Sequence, residues 1–273
     1  MKIISLLKRG RRKLLALIKK REFLAEGLTR VPAVKESVIS DLFIWRKTDE
    51  WRTFFELLDI NKLINPNYQD IGNNYATFVF YDHTGGEIGR QKVPVKPGRQ
   101  TVDVSSMLSD GCKGWGTYAC FHGKIPEAVS ESGSFIAERG YSGYEWKNIG
   151  SRGYVHGNLD AIAMSTKGIE MLGTSWKDKL IYQLQHELTG PATYEFALVN
   201  PTQKKQKVEF VTKNIFQNIE SHQETTLSSR ASIVKRVELQ EGEKLQFAIQ
   251  SKMYMARPVV FRLQSHSMDV FHG

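Results

Sequence analysis

DLFIWRKTDEWRTFFELLD, residues 41–59, and KLIYQLQHELTGPATYEFALV, residues 179–199, decide how this chain folds. Each reads as a short apolar run, a polar turn and a second apolar run, without the 3.6-residue period of a helix. Their order matches: Thr53 and Leu58 stand 140 residues before Thr193 and Leu198. Further on, KVPVKPG (92–98) resembles RVELQEG (236–242), with Val93, Val95 and Gly98 144 residues before Val237, Leu239 and Gly242. Other segments have the same texture. YATFVFYD (75–82) alternates and runs into HTGGE, a hairpin signal. QKVPVKPGRQTVDV (91–104) reads as two short strands about Pro97-Gly98. In KLQFAIQ, Leu245, Phe247 and Ile249 point one way, and Gln246 and Gln250 the other. Recurrence in order at a nearly constant offset predicts a mainly β chain. It holds two related antiparallel β-sandwich copies, immunoglobulin- or jelly-roll-like, over residues 37–160 and 175–273. The same spacing also fits one large jelly roll made of both halves.

The charge is concentrated ahead of these strands. The chain has 273 residues and a net charge of +9, yet residues 1–30 hold ten lysines and arginines against two glutamates, leaving the rest almost neutral. In MKIISLLKRGRRKLLALIKK, Ile3, Leu7, Leu14, Leu17 and Ile18 fall on one side of a helical wheel. Lys8, Arg9, Arg11, Arg12, Lys13, Lys19, Lys20 and Arg21 supply the charge. The pattern predicts a basic amphipathic helix over 1–30, lying on an anionic membrane surface or in a partner's groove. Each basic residue at an anionic leaflet contributes about 1 kcal/mol. Residues 1–22 lack the interleaved aromatics of a base-stacking surface until Phe23, so nucleic acid is the least favoured partner. No window of 18 apolar residues and no small-residue cleavage site occur, so neither a spanning helix nor a secretory signal is expected. Cys112 and Cys120, in CKGWGTYAC, are expected to be reduced thiols, with no second pair to build a zinc site.

Chemistry is densest in FIAERGYSGYEWKNIGSRGYVHGNLDA, residues 135–161, read as a long aromatic loop. Glu138, Arg139, Tyr141, Tyr144, Trp146, Tyr154, His156, Asn158 and Asp160 are its candidate ligand-binding residues, and Glu145, Asn148 and Arg152 lie in the same stretch. Aromatic faces beside carboxylates, amides and guanidinium groups suit a saccharide, whose C–H faces pack on rings while its hydroxyls take polar partners. The same residue types also make protein interfaces or a self-packed loop. The chain closes on MDVFHG (268–273), echoing ACFHGK (119–124) and GYVHGN (153–158). MDVFHG is expected to be a final strand with Phe271 in the core and Asp269 and His272 facing the other way; both are added to the candidate site. His156 with Asp160, or His272 with Asp269, has the makings of a general base and its orienting carboxylate. No GxSxG, HExxH, P-loop or GxGxxG motif occurs, so no catalytic residue is assigned. No cofactor or metal is expected.

FALVNPTQKKQKVEF (196–210) resembles the small immunoglobulin-like sandwiches of bacterial accessory proteins. SDLFIWR, AERGYSGY and YVHGN resemble uncharacterised proteins encoded beside bacterial surface-polysaccharide genes, over about residues 40–160. That resemblance implies an accessory role in making or handling a cell-surface glycan. The sequence therefore suggests a non-catalytic, cytoplasmic protein held peripherally on the inner membrane face, binding a glycan or a protein partner. The alternative is a carbohydrate-active enzyme centred on His156 and a carboxylate of the 135–161 segment. A nucleic-acid-binding or viral protein using the basic arm comes third.

Overall fold

The central strands of this chain are buried on both faces, and the architecture follows from covering both. The computed structural model describes residues 28–67, 74–123, 137–138, 140–215, 219–254 and 257–273. Residues 1–27 of the basic amphipathic segment lie outside them; Thr29 bridges Gly173 and the Arg30 N–H donates to Leu172 O, so the helix expected over 1–30 does not extend to these residues. The first half comprises β1 (Val38–Lys47), β2 (Trp51–Leu58), β3 (Tyr75–Asp82), β4 (Glu87–Pro94), β5 (Arg99–Asp103) and β6 (Gly114–His122). It continues with β7 (Ala137–Glu138), β8 (Tyr141–Trp146), β9 (Ser151–His156), β10 (Asn158–Ser165) and β11 (Gly168–Met171). The second comprises β12 (Ser175–Gln183), β13 (Leu188–Thr189), β14 (Ala192–Val199), β15 (Gln206–Asn214) and β16 (Glu220–Leu227). It ends with β17 (Ser232–Leu239), β18 (Lys244–Met253), β19 (Val259–Leu263) and β20 (Met268–His272). Two short helices, α1 (Ile60–Ile64) and α2 (Val104–Met107), are interspersed among the described residues. The chain is mainly β, in antiparallel sheets; β7 alone among these strands pairs in parallel, with β1.

The sheets run β11-β10-β1-β6-β3-β4 and β5-β2-β8-β9 in the first half, and β12-β18-β15-β16 and β17-β14-β19-β20 in the second. Taken in chain order, β1-β6-β3-β4 and β12-β18-β15-β16 have the same sequence of neighbours, as do β5-β2-β8-β9 and β17-β14-β19-β20. Side-chain alternation then separates three cores. Phe43 and Trp45 of β1, Phe78 and Phe80 of β3 and Tyr118 of β6 pack on Phe55 and Leu57 of β2. In the second half Phe196 of β14 stacks on Phe247 of β18 at 3.8 Å between ring centroids. Ile44, Val79, Ala119 and Phe121, one residue out of step with the first set, meet Ala197, Val199, Val259 and Phe261 in a third core between the halves. Phe261 is wholly buried among Trp51, Trp115 and Tyr144 at centroid distances of 5.8, 5.3 and 4.8 Å. The unbroken apolar runs of β1 and β3 thus serve two cores each.

Several expectations need correction. Val93 lies on edge strand β4 opposite Ala76, whereas Val237 lies on β17 opposite Tyr194. In the matching strand orders β4 corresponds to β16 and β17 to β5, so KVPVKPG and RVELQEG resemble each other without being equivalent. Both are short alternating strands, and alternation repeats wherever one face is buried. Pro97-Gly98 joins strands of different sheets, with Gly98 at φ +83°. The first sheet also continues past residue 160 through β10 and β11. MDVFHG is strand β20, paired with β19, but Phe271 is only partly buried and shares its face with Asp269, while Met268 and Val270 pack toward the core between the halves. The parity of a strand puts Asp269 with Phe271 and His272 with Val270.

Candidate functional site

The polar-aromatic stretch is not a loop. Its described part is a hairpin, β8–β9, turned at Lys147–Gly150 with Gly150 at φ +62°, and β8 is zipped to β2. A strand sends alternate residues to opposite faces, so the hairpin divides the predicted residues. Tyr141, Gly143 and Glu145 stand opposite His156, Tyr154 and Arg152 on one side, and opposite Glu56, Phe54 and Arg52 on the other. This outer face of β5-β2-β8-β9 carries Tyr141 and Tyr154 of the predicted ligand-binding residues, with Glu145 and Arg152 of the same stretch.

Tyr141 and Tyr154 are 50% and 42% exposed, which is unusual for large rings on a well-formed sheet. A Cβ at position 143 would lie 2.6 Å from the Tyr154 ring, so Gly143 is what lets that ring lie down across β8. Beside it the Arg152 guanidinium sits 3.7 Å over the Phe54 ring. Arg152 donates to Glu145 Oε2 at 2.7 Å and to the Tyr154 hydroxyl at 3.2 Å. Partial burial opposes the charge of Arg152, but these two hydrogen bonds outweigh it and raise its pKa. Arg52 is paired with Asp103, and Thr101 donates to Glu56 at 2.8 Å. The face is therefore a shallow platform of rings bordered by donors and acceptors held in place by their neighbours.

The inward residues have other roles. Tyr144 is buried and donates its hydroxyl to Ile44 O at 2.8 Å; burial raises its pKa well above the usual phenol value. Trp146 stacks on Trp51, with centroids 5.7 Å apart and planes 6° apart, on the wall of a cleft of about 550 Å³ between the halves. In that wall Arg46 of β1 meets Glu195 of β14 at 2.8 Å, the side chains only 7% and 9% exposed. Arg46 lies 3.4 Å over Trp51 and 4.4 Å from Trp115. Burial pushes Arg46 down to about 10 in spite of Glu195.

His156 and His272 do come together, although they close different halves. Their ring centroids are 4.3 Å apart, and His272 Nε2 lies 2.8 Å from the His156 carbonyl. His156 Nδ1 lies 2.9 Å from Gly157 O. Asn158 shares their small pocket. Burial first, then Arg257 and His156, push His272 down to about 4. Asp269 is elsewhere, 3.6 Å from Arg262. The third echo, ACFHGK, ends β6, a different place in the strand order, with His122 buried. Arg139 and the side chains of Glu138 and Asp160 lie outside the described residues, as do the basic residues from Lys8 to Arg21. Among the described residues His156 has no carboxylate partner, and no group of three or more metal-ligating side chains is assembled. Nor is any described helix long and apolar enough to cross a membrane.

Sequence reasoning missed Arg46, Phe54, Glu195 and Arg257. A signal existed for the first: Arg46 occupies the parity of Leu42 and Ile44, where a charge must find a buried partner.

No family model matches this chain, and no curated protein matches it. Among solved structures, a calcium-binding mutant of Bacteroides uniformis beta-glucuronidase 2 aligns over 85% of this chain at 10% identity with a TM-score of 0.19. The aligned region spans 25% of that protein, and a score so low supports no conclusion about fold or activity.

Proposed function

We propose that this is a non-catalytic accessory protein that binds a glycan on the outer face of β5-β2-β8-β9. The observation that carries the reading is the pair of exposed rings, Tyr141 and Tyr154, flanked on one flat face by the ordered Arg152–Glu145 and Arg52–Asp103 pairs. Rings stack on the C–H faces of sugars, and pre-positioned ionic groups take hydroxyls at little entropic cost. We propose further that the two halves are copies of one eight-stranded sandwich, for which the shared strand order speaks, and that the N-terminal basic segment holds the protein peripherally on an anionic, cytoplasmic membrane face, for which its charge pattern speaks.

The test is binding of surface-polysaccharide fragments by the intact protein, read by calorimetry. Tyr141→Ala and Tyr154→Ala should each weaken a bound glycan about tenfold, a loss of roughly 1.4 kcal/mol, and leave folding intact because both rings are exposed. Undiminished glycan binding by the double variant would remove this face from the proposal. Capture of a protein ligand that competes at the same two tyrosines, with no glycan bound, would make the face a protein interface. Liposome flotation with and without residues 1–22 tests the membrane arm, and loss of binding with salt is expected because exposed charges are screened over about 10 Å at 0.1 M.

A further inference from the structure

The pocket at the seam of the two halves is distinct from the glycan face. It is formed where His156 and Asn158 of the first half approach Arg257 and His272 of the second, with Leu28 and Thr29 at its wall. Its volume is about 40 Å³. At roughly 10–15 Å³ for each water-sized occupant, that is room for about three oxygen atoms. Its polar side chains are one guanidinium, two imidazoles, an amide and the hydroxyls of Thr29 and Tyr254, with no carboxylate among the described lining residues. One of these donors, Arg257 Nε, is buried without a hydrogen-bond partner, and Arg257 has no ion pair among the described residues. His272 Nε2 gives its proton to the His156 carbonyl, so Nδ1 of the neutral ring is an acceptor and becomes a donor only when the ring is protonated. An unpaired buried donor costs about 1–3 kcal/mol, more when it is charged.

We propose that this seam pocket binds a phosphate monoester, its terminal oxygens received by Arg257, His272 and His156. The terminal oxygens suit the size of the pocket, and the dianion meets the buried, unpaired Arg257 guanidinium. Charge-assisted hydrogen bonds from a guanidinium and imidazolium groups to phosphate are short and strong. Among the described residues the other titratable groups about the pocket are Tyr254, in its lining, and Asp41, which is buried in β1 behind Gly157 and already has a partner of its own. Burial and the neighbouring positive charge hold His272 neutral in the free protein. A bound anion reverses the second of these influences, so phosphate should enter together with a proton and bind more tightly as pH falls toward 5. Because residues 28 and 29 line the pocket directly after the basic N-terminal segment, the monoester could be soluble or the headgroup of phosphatidic acid.

The experiment titrates full-length protein, labelled with ¹⁵N-histidine, with inorganic phosphate and then glycerol 3-phosphate, using chloride at matched ionic strength as control. Saturable shifts of both the His156 and the His272 imidazole resonances are expected, with a rise in the His272 pKa. Arg257→Gln should weaken the apparent affinity about tenfold or more. Shifts that fail to saturate, or that chloride reproduces, overturn the proposal, and this outcome is read on the wild-type protein even if the variant is unstable. Flotation on phosphatidic acid vesicles against phosphatidylglycerol vesicles identifies the source. Selectivity for phosphatidic acid that Arg257→Gln abolishes indicates the lipid headgroup. Saturable binding of the soluble esters without that selectivity indicates a free phosphate monoester. Saturable phosphate binding that Arg257→Gln leaves unchanged also overturns the assignment.

Discussion

Removing one member of the Arg46–Glu195 pair should destabilise the fold far more than removing both. At 2.8 Å the two charges attract by about 6 kcal/mol at an effective dielectric of 20. Yet Arg46 is pushed from 12.5 down to about 10 by burial, a net penalty of about 3 kcal/mol on its charged form after the attraction of Glu195 is counted. Desolvation therefore wins, and the pair is tolerated rather than strongly stabilising. Glu195→Leu leaves Arg46 charged and buried, and Arg46→Met leaves Glu195 with only Arg236, 4.0 Å away. Each single change should cost about 3–5 kcal/mol. The double variant loses the stacking of Arg46 on Trp51 and Trp115, worth about 2 kcal/mol, but no charge is left stranded. It should fall no more than about 2 kcal/mol below the parent, which makes the coupling energy at least about 4 kcal/mol. Urea unfolding, followed by both tryptophan fluorescence and circular dichroism to check that the halves unfold together, measures all four proteins. Additive singles, with the double variant about 6 kcal/mol or more below the parent, would refute the reasoning.

Three further outcomes are expected. Phe261→Ala should cost about 3–5 kcal/mol, and Phe271→Ala only about 1–2, because Phe261 is wholly enclosed between the halves while Phe271 is partly exposed; equal losses in urea unfolding would contradict the burial argument. His272 binds its proton at about 4 in the fold but near 6.5 when unfolded, so stability should fall by about 3 kcal/mol as pH drops from 6.5 through 4, and His272→Gln should flatten that part of the pH–stability curve. Gly143→Ala should barely alter stability, because it displaces only the end of the exposed Tyr154 side chain, yet it should reduce glycan binding by upsetting the platform; an unchanged dissociation constant would show that the resting place of that ring is unimportant.

How much of this was legible beforehand depended on the range of the interaction. Period-two alternation in YATFVFYD and KLQFAIQ, and the HTGGE turn, are local signals, and the strands stand where they indicated. The density of rings and charges in 135–161 is visible in the sequence, but its pairing as a hairpin against β2 is not. The adjacent Gly-Tyr pairs of this stretch fit both irregular chain and a strand laid against β2, and only pairing with β2 distinguishes them. Residue-level matching of KVPVKPG to RVELQEG failed because alternation is shared by every half-buried strand.

The sequence by itself determined the mainly β character, the concentration of charge in the first thirty residues and the strand at MDVFHG, because each rests on neighbours a few residues apart. Tertiary structure alone decided which face of each strand went to which core. It also decided that Arg46 would meet Glu195 across 149 positions of chain, and that His156 and His272, 116 apart, would touch. The physical reason is that burial of a second face is created by the docking of the two halves. A strand apolar on both sides announces that something must cover it, but its own residues do not say what, and a site built at the seam exists only once the seam has closed.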